Sequence, residues 1–143
     1  MLVRLMYASR AAAGVDQDEL VAIVRKSKTN NTTQGITGVL CMCLSERIFM
    51  QVLEGGRTAV NRLYNRIATD PRHTDVELMS YEEIGERRFA GWSMGQVNMS
   101  RLNPALLLKY SERPALDPFA VSGRVSMALF QELIATASIV GQS

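Results

Sequence analysis

Two alternating apolar runs, Ile36–Cys43 and Ile48–Glu54, are separated by only the four residues Leu44–Arg47. That spacing predicts a β-hairpin. Within Phe49-Met50-Gln51-Val52-Leu53-Glu54-Gly55 every second side chain points the same way, so Phe49, Gln51 and Leu53 share a face. A neutral amide therefore lies between two apolar neighbours. Left unpaired in a core, such a group costs about 1–3 kcal/mol, so Gln51 needs partners. The sequence offers Tyr7 on a first strand, Asn31 at the end of a first helix, and Trp92-Ser93-Met94 at the opening of a last strand. An amide that bridges a phenol and a bound heteroaromatic ring is a candidate switch.

The rest of the pattern surrounds this hairpin. Leu2–Ser9 alternates as a strand, with Val3, Leu5 and Tyr7 on one face. Asp16 with Glu19 resembles a capping box, and Leu20, Val21 and Val24 follow at helical spacing, predicting a helix to about Lys28. Thr29–Gly35 is a polar stop, and Gly55-Gly56 breaks the chain after the hairpin. Val60, Leu63, Tyr64 and Ile67 mark a second amphipathic helix, ended by Asp70-Pro71 because the residue before proline disfavours α geometry. Val76–Ile84 and Ser93–Asn98 are expected strands. The order is βαββαββ, an α+β, ferredoxin-like plan with two helices on one face of a mixed sheet. Beyond Ser100, Asn103-Pro104 caps a short helix through Tyr110, and Val125, Leu129, Leu133 and Ala137 suggest a final one. We expect one unit over residues 1–100 and a helical extension over 101–143.

Length and charge narrow the function classes. At 143 residues a single sizeable core is affordable, and 47% hydrophobic with 21% charged residues is ordinary for a globular protein. A net charge of +2 with scattered basic residues does not suggest nucleic acid. No run approaches the ~20 apolar residues of a membrane span, and with no export signal a cytoplasmic location is expected. Cys41 and Cys43 point the same way on one strand, where a disulfide would be strained, and with one histidine they complete no zinc site. No metal is expected.

Each candidate residue has a plainer reading beside the chemical one. Tyr7 is a possible electron and proton donor, or a strand aromatic with a bonded hydroxyl. Asn30 and Asn31 match the donor–acceptor edge of a flavin or pyrimidine, or one of them caps a helix. Arg62, Arg66, Arg72 and His73 could contact a carbonyl-rich ring edge or phosphates, or form a solvated face. Trp92 and Met94 share strand parity, so both can face the helices, as core or as something more. Gly55-Gly56 lacks the spacing of a phosphate loop, and Glu82-Glu83 alternate faces and form no acid–base dyad.

Together the segments resemble one family, the BLUF domain, a blue-light sensor using FAD. The residues that carry the resemblance are Arg4-Leu5-Met6-Tyr7, Asn30-Asn31, Gly35-Ile36-Thr37-Gly38, Gln51-Val52-Leu53-Glu54-Gly55, Asp70-Pro71-Arg72-His73 and Phe89-Ala90-Gly91-Trp92-Ser93-Met94. They stand in the family's order across residues 2 to about 98, and the tail resembles that of short stand-alone BLUF proteins. The hairpin between Gly38 and Gln51 is about two residues longer than the family's usual form. An even insertion keeps the face of Gln51.

The resemblance implies a flavin between the two helices, FAD by family, with FMN or riboflavin as alternatives. It implies Tyr7 and Gln51 beside the ring, Asn31 on its carbonyl edge, Asn30 nearby, Arg66 toward the pyrimidine side, and Arg72 and His73 as further contacts. Trp92 and Met94 would alternate or shift on illumination. The implied mechanism is electron and proton transfer from Tyr7, followed by rearrangement of the Gln51 hydrogen bonds. The signal would leave through the Trp92–Val97 strand. Homo-oligomers and a separate signalling partner are also implied, and roughly 45 residues of tail leave no room for a fused enzyme. The second reading is a small ferredoxin-like enzyme, either a flavin reductase or an acylphosphatase-like hydrolase. A cysteinyl-adduct photosensor and an RNA-binding sheet rank below both.

Overall fold

In the computed structural model, strand β1 (Leu2–Ala11) forms the spine of the molecule, paired on both sides. It runs antiparallel to β3 (Ile48–Gly56) and to β4 (His73–Ile84). Strand β2 (Thr37–Cys43) pairs antiparallel with β3 and parallel with β5 (Gly95–Asn98), so the five-stranded mixed sheet has the order β4-β1-β3-β2-β5. The structure describes residues 1–16, 18–19, 22, 31, 33–43, 46–98, 102–115, 117–136 and 139, with Cys43, Asn98 and Ile134 in backbone only. The expected ferredoxin-like α+β sheet is present.

Alternation sorts the strands into two faces. Val3, Leu5, Tyr7, Leu40, Phe49 and Leu53 meet Val60, Leu63, Tyr64 and Ile67 of helix α1 (Arg57–Thr69). Met6, Val39, Cys41, Met50, Val52 and Val97 face the other way. That second face is covered by α2 (Pro104–Leu108) through Leu107 and by α3 (Gly123–Ala135) through Met127, Leu129, Phe130 and Leu133. The apolar stripe of the last helix thus has a partner within the chain. The Asn103 side chain caps α2 by accepting the Ala105 N–H at 3.0 Å, with Pro104 at the first helical position as expected.

Several boundaries differ from the sequence reading. Strand β3 continues through Gly55 and Gly56, because their backbones pair with Val3 and Leu2 of β1. Asp16 accepts the Glu19 N–H at 2.8 Å, as a helix cap should, while Leu20, Val21, Val24 and Lys28 lie outside the described residues. Asn31, Thr33 and Gln34 are still helical, so the stop is Gly35 rather than the polar run before it. Gly35 adopts φ 70° and the Ile36 N–H reaches back to the Asn31 carbonyl at 2.9 Å, the six-to-one bond of a Schellman end. Last, β5 starts at Gly95, not Ser93.

That final boundary overturns the expected parity of Trp92 and Met94. Without strand geometry at 92–94, alternation does not apply. Met94 enters the cluster under α1, whereas Trp92 packs on the opposite side with the α2–α3 cluster. The Trp92 indole lies against Gly95 beside Ile139.

Phe130 is fully buried and meets Phe89 edge-on, with centroids 6.2 Å apart. Phe130→Ala should therefore lower unfolding free energy by about 3–5 kcal/mol in urea titration. A loss below about 1 kcal/mol would mean that α3 contributes little to the core.

Candidate functional site

The β1–β3 register sets Tyr7 directly opposite Gln51. Both side chains are buried, and the Tyr7 hydroxyl donates to Gln51 Oε1 in a short hydrogen bond. Leu40 of β2 flanks Gln51 on the other side. The Gln51 amide donates through Nε2 to Met94 Sδ at 3.2 Å. The amide is thus held between a phenol and a thioether, with one of its two N–H bonds committed. Burial, and then the neighbouring Tyr64, push the Tyr7 phenol well above its ordinary pKa, so it is neutral and carries its proton. The Tyr7 and Tyr64 rings lie 5.8 Å apart at 57°.

Asn31 is buried at the end of the helical segment. The Schellman geometry puts the capping task on Gly35, so the side chain of Asn31 is not the cap. Its Nδ2 is buried and has no hydrogen-bond partner among the described residues. A buried orphan donor is costly in a finished core, and an acceptor on a ligand would satisfy it. This atom, with the Gln51 amide in an apolar, aromatic setting, fits the carbonyl-bearing edge of a flavin. Asn30 lies outside the described residues.

The basic candidates are placed differently from one another. Arg66 is exposed on α1 and forms no ion pair among the described residues. Arg72 is clasped by Asp70, Nε to Oδ1 at 3.0 Å and Nη2 to Oδ2 at 2.6 Å, and it holds that carboxyl down at about 2. His73 Nδ1 is 2.9 Å from the buried Ser9 hydroxyl, and its ring lies 5.4 Å from that of Phe49. Arg62 is exposed. Among the described residues no cluster of metal-ligating side chains occurs, and no helix is long and apolar enough to cross a membrane.

Sequence reasoning gave Arg4 and Glu54 no role, yet they form a buried ion pair with Arg4 Nε 2.7 Å from Glu54 Oε2. The signal was available. Both residues sit at inward parity in apolar strands, and the pairing that sets Tyr7 against Gln51 sets Arg4 against Glu54.

A family model described as BLUF, sensors of blue-light using FAD, matches residues 2–95. The chain belongs to the BLUF family. Its BLUF region is a blue-light sensor whose chromophore is FAD. The photoactivated adenylate cyclase subunit beta of Euglena gracilis is 38% identical over 94 residues. That match takes in 65% of this chain and 11% of the relative, so the chain spans about a tenth of the length of that curated relative. Among solved structures, one titled BlsA photo-activated state superposes with a TM-score of 0.83 at 28% identity, covering 100% of this chain and 99% of the other. The dark-state structure of BlrB, a BLUF protein, gives 0.78 at 33%, covering 95% and 96%. A bacterial light-regulated adenylyl cyclase gives 0.69 at 26%, with 96% of this chain and 36% of the other covered. These matches lend no support to a reductase or hydrolase.

Burial lowers the pKa of His73 below 6.5, with Asp70 opposing and Arg72 assisting. The folded chain therefore keeps a neutral ring where the unfolded chain begins to bind a proton. This contribution to stability is complete above pH about 6.5 and is lost as pH falls below it. As the only histidine, His73 should give a single imidazole titration by NMR with its midpoint below 6.5. A midpoint at or above that value would contradict the burial argument.

Proposed function

We propose that this chain is a photoreceptor without catalysis of its own, in which Tyr7, Gln51 and Met94 form the light-responsive unit and the output goes to a separate protein. The observation that carries the proposal is the bridged amide, with Tyr7 Oη on Gln51 Oε1 and Gln51 Nε2 on Met94 Sδ. Residues 1–100 would be the flavin-binding unit and 101–143 the extension. Tyr7, Asn31 and Gln51 would hold the ring, with Asn30, Arg66, Arg72 and His73 as peripheral contacts.

When bound, the flavin supplies, on absorbing blue light, an oxidant strong enough to draw an electron from a neighbouring phenol. The part of this chain is to hold and move a proton. The Tyr7 hydroxyl hydrogen already points at Gln51 Oε1, and loss of electron density from the phenol makes it acidic. The proton passes to Gln51 Oε1 and comes back when the phenol is restored. While Tyr7 lacks its proton its oxygen can only accept, so it no longer fixes Oε1 toward itself and the amide can turn.

The two ends of Gln51 have unequal partners. A hydroxyl both donates and accepts, so Tyr7 satisfies the amide in either orientation. A thioether only accepts, so Met94 satisfies only the orientation with Nε2 toward it. The rotated amide sets its carbonyl oxygen against sulfur and loses a hydrogen bond. That asymmetry favours the resting orientation and supports thermal return. The signal would leave through the segment 92–98, where Met94 meets Gln51 while Trp92 packs against the α2–α3 layer.

Gln51→Leu should retain flavin and show no light-induced red shift in its visible spectrum. A normal shift in that variant would sink the assignment. Asn31→Ala should weaken flavin binding by about tenfold, as expected for one lost buried hydrogen bond. An unchanged dissociation constant by fluorescence titration would remove Asn31 from the site.

A further inference from the structure

Gln51 and Glu54 lie three residues apart on β3, so their side chains leave opposite faces of the sheet. Glu54 is fully buried. Its Oε2 accepts from Arg4 Nε at 2.7 Å and from the Arg88 N–H at 3.0 Å, and its Oε1 accepts from the Phe89 N–H at 2.7 Å. Arg4 Nη1 also reaches Glu82 Oε1 at 2.8 Å. The pair therefore ties the end of β4, at Glu82, to the middle of the β4–β5 connection, at Arg88 and Phe89.

From that grip a series of hydrogen bonds runs onward. The Phe89 carbonyl accepts the Trp92 N–H at 3.1 Å, and the Trp92 carbonyl accepts the Gly38 N–H at 2.9 Å. Met94 Sδ then accepts Gln51 Nε2 at 3.2 Å. The circuit leaves β3 at Glu54 and returns to the same strand at Gln51. Gly38 is required at its crossing point, because a Cβ there would overlap the Val52 carbonyl oxygen. Bonds from backbone N–H to a carboxylate are roughly twice as strong as neutral ones, so the Glu54 end is the firmest anchor of the segment.

We propose that Glu54, held by Arg4, is a positioning residue for the light response: it fixes the 88–94 segment so that Met94 Sδ stays within reach of the Gln51 amide. The inference rests on the assignment of Gln51 and Met94 made above. It makes Glu54 act on the lifetime of the illuminated state from the face of the sheet opposite Gln51. Replacing the carboxylate by an amide leaves Glu82 as a partner for Arg4 but takes one acceptor from the Arg88–Phe89 turn. Met94 is then held less firmly, the resting orientation of Gln51 loses part of its preference, and thermal return slows.

The test is a double-mutant cycle on dark recovery of the red shift, followed in the flavin-loaded full chain. Glu54→Gln should slow recovery by about threefold or more in the parent background and by less than about twofold in Met94→Ala, since neighbours on one network couple. Glu54→Gln should keep the dark flavin spectrum. Recovery at or above the parent rate in Glu54→Gln overturns the proposal, and so does equal slowing in both backgrounds. If Glu54→Gln does not fold, Arg4→Lys loosens the same grip while keeping a cation beside the carboxylate, and the same cycle decides. A parent protein with no red shift at all would instead overturn the reading of Gln51 on which this rests.

Discussion

The antiparallel pairing of β1 with β3 is the constraint on which the rest depends. One register places Tyr7 against Gln51 and Arg4 against Glu54. The first pair lies on the α1 side and forms the neutral, proton-bearing bridge. The second lies on the other side and is a buried ion pair. A slip by one residue would exchange the faces, set Met50 or Val52 opposite Tyr7, and carry Glu54 to the α1 side away from Arg4. A buried charge without its partner is strongly destabilising, so the Arg4–Glu54 pair enforces the register that the Tyr7–Gln51 pair needs.

The two faces then divide the work. The α1 face supplies an aromatic, apolar setting in which an amide has few alternatives to the partners it is given. The opposite face supplies the mass of the core, with α2 and α3 covering Met6, Cys41, Met50 and Val52. The segment 89–94 belongs to both. Phe89 is seated in the α3 cluster against Phe130, Trp92 rests on the same side, and Met94 crosses to the other. A change at Gln51 therefore has a physical neighbour on the far side of the sheet within a few residues of chain.

Much of this was legible in the chain. The alternation of Phe49, Gln51 and Leu53, and of Val3, Leu5 and Tyr7, identified which residues share the α1 face. The spacing of Val60, Leu63, Tyr64 and Ile67 identified the helix that covers them. Trp92 and Met94 were misplaced because a two-residue period was applied where the backbone is not yet a strand. Asn31 escaped a firm reading because a helix end is marked equally by asparagine and by glycine. Only the φ of Gly35 and the bond from Ile36 to Asn31 distinguish them.

What the sequence determined by itself is what neighbours along the chain can decide. Periodicity places each side chain on a face, caps and glycines end the elements, and the family motifs mark residues 2–95 as a flavin-using light sensor. Which groups meet across strands and loops follows from the folded chain alone. His73 turns to Ser9, and Glu54 takes the amides of Arg88 and Phe89. The reason is range. A backbone period acts over a few residues, whereas the partner of a buried polar group can be any residue that the folded chain brings within about 3 Å.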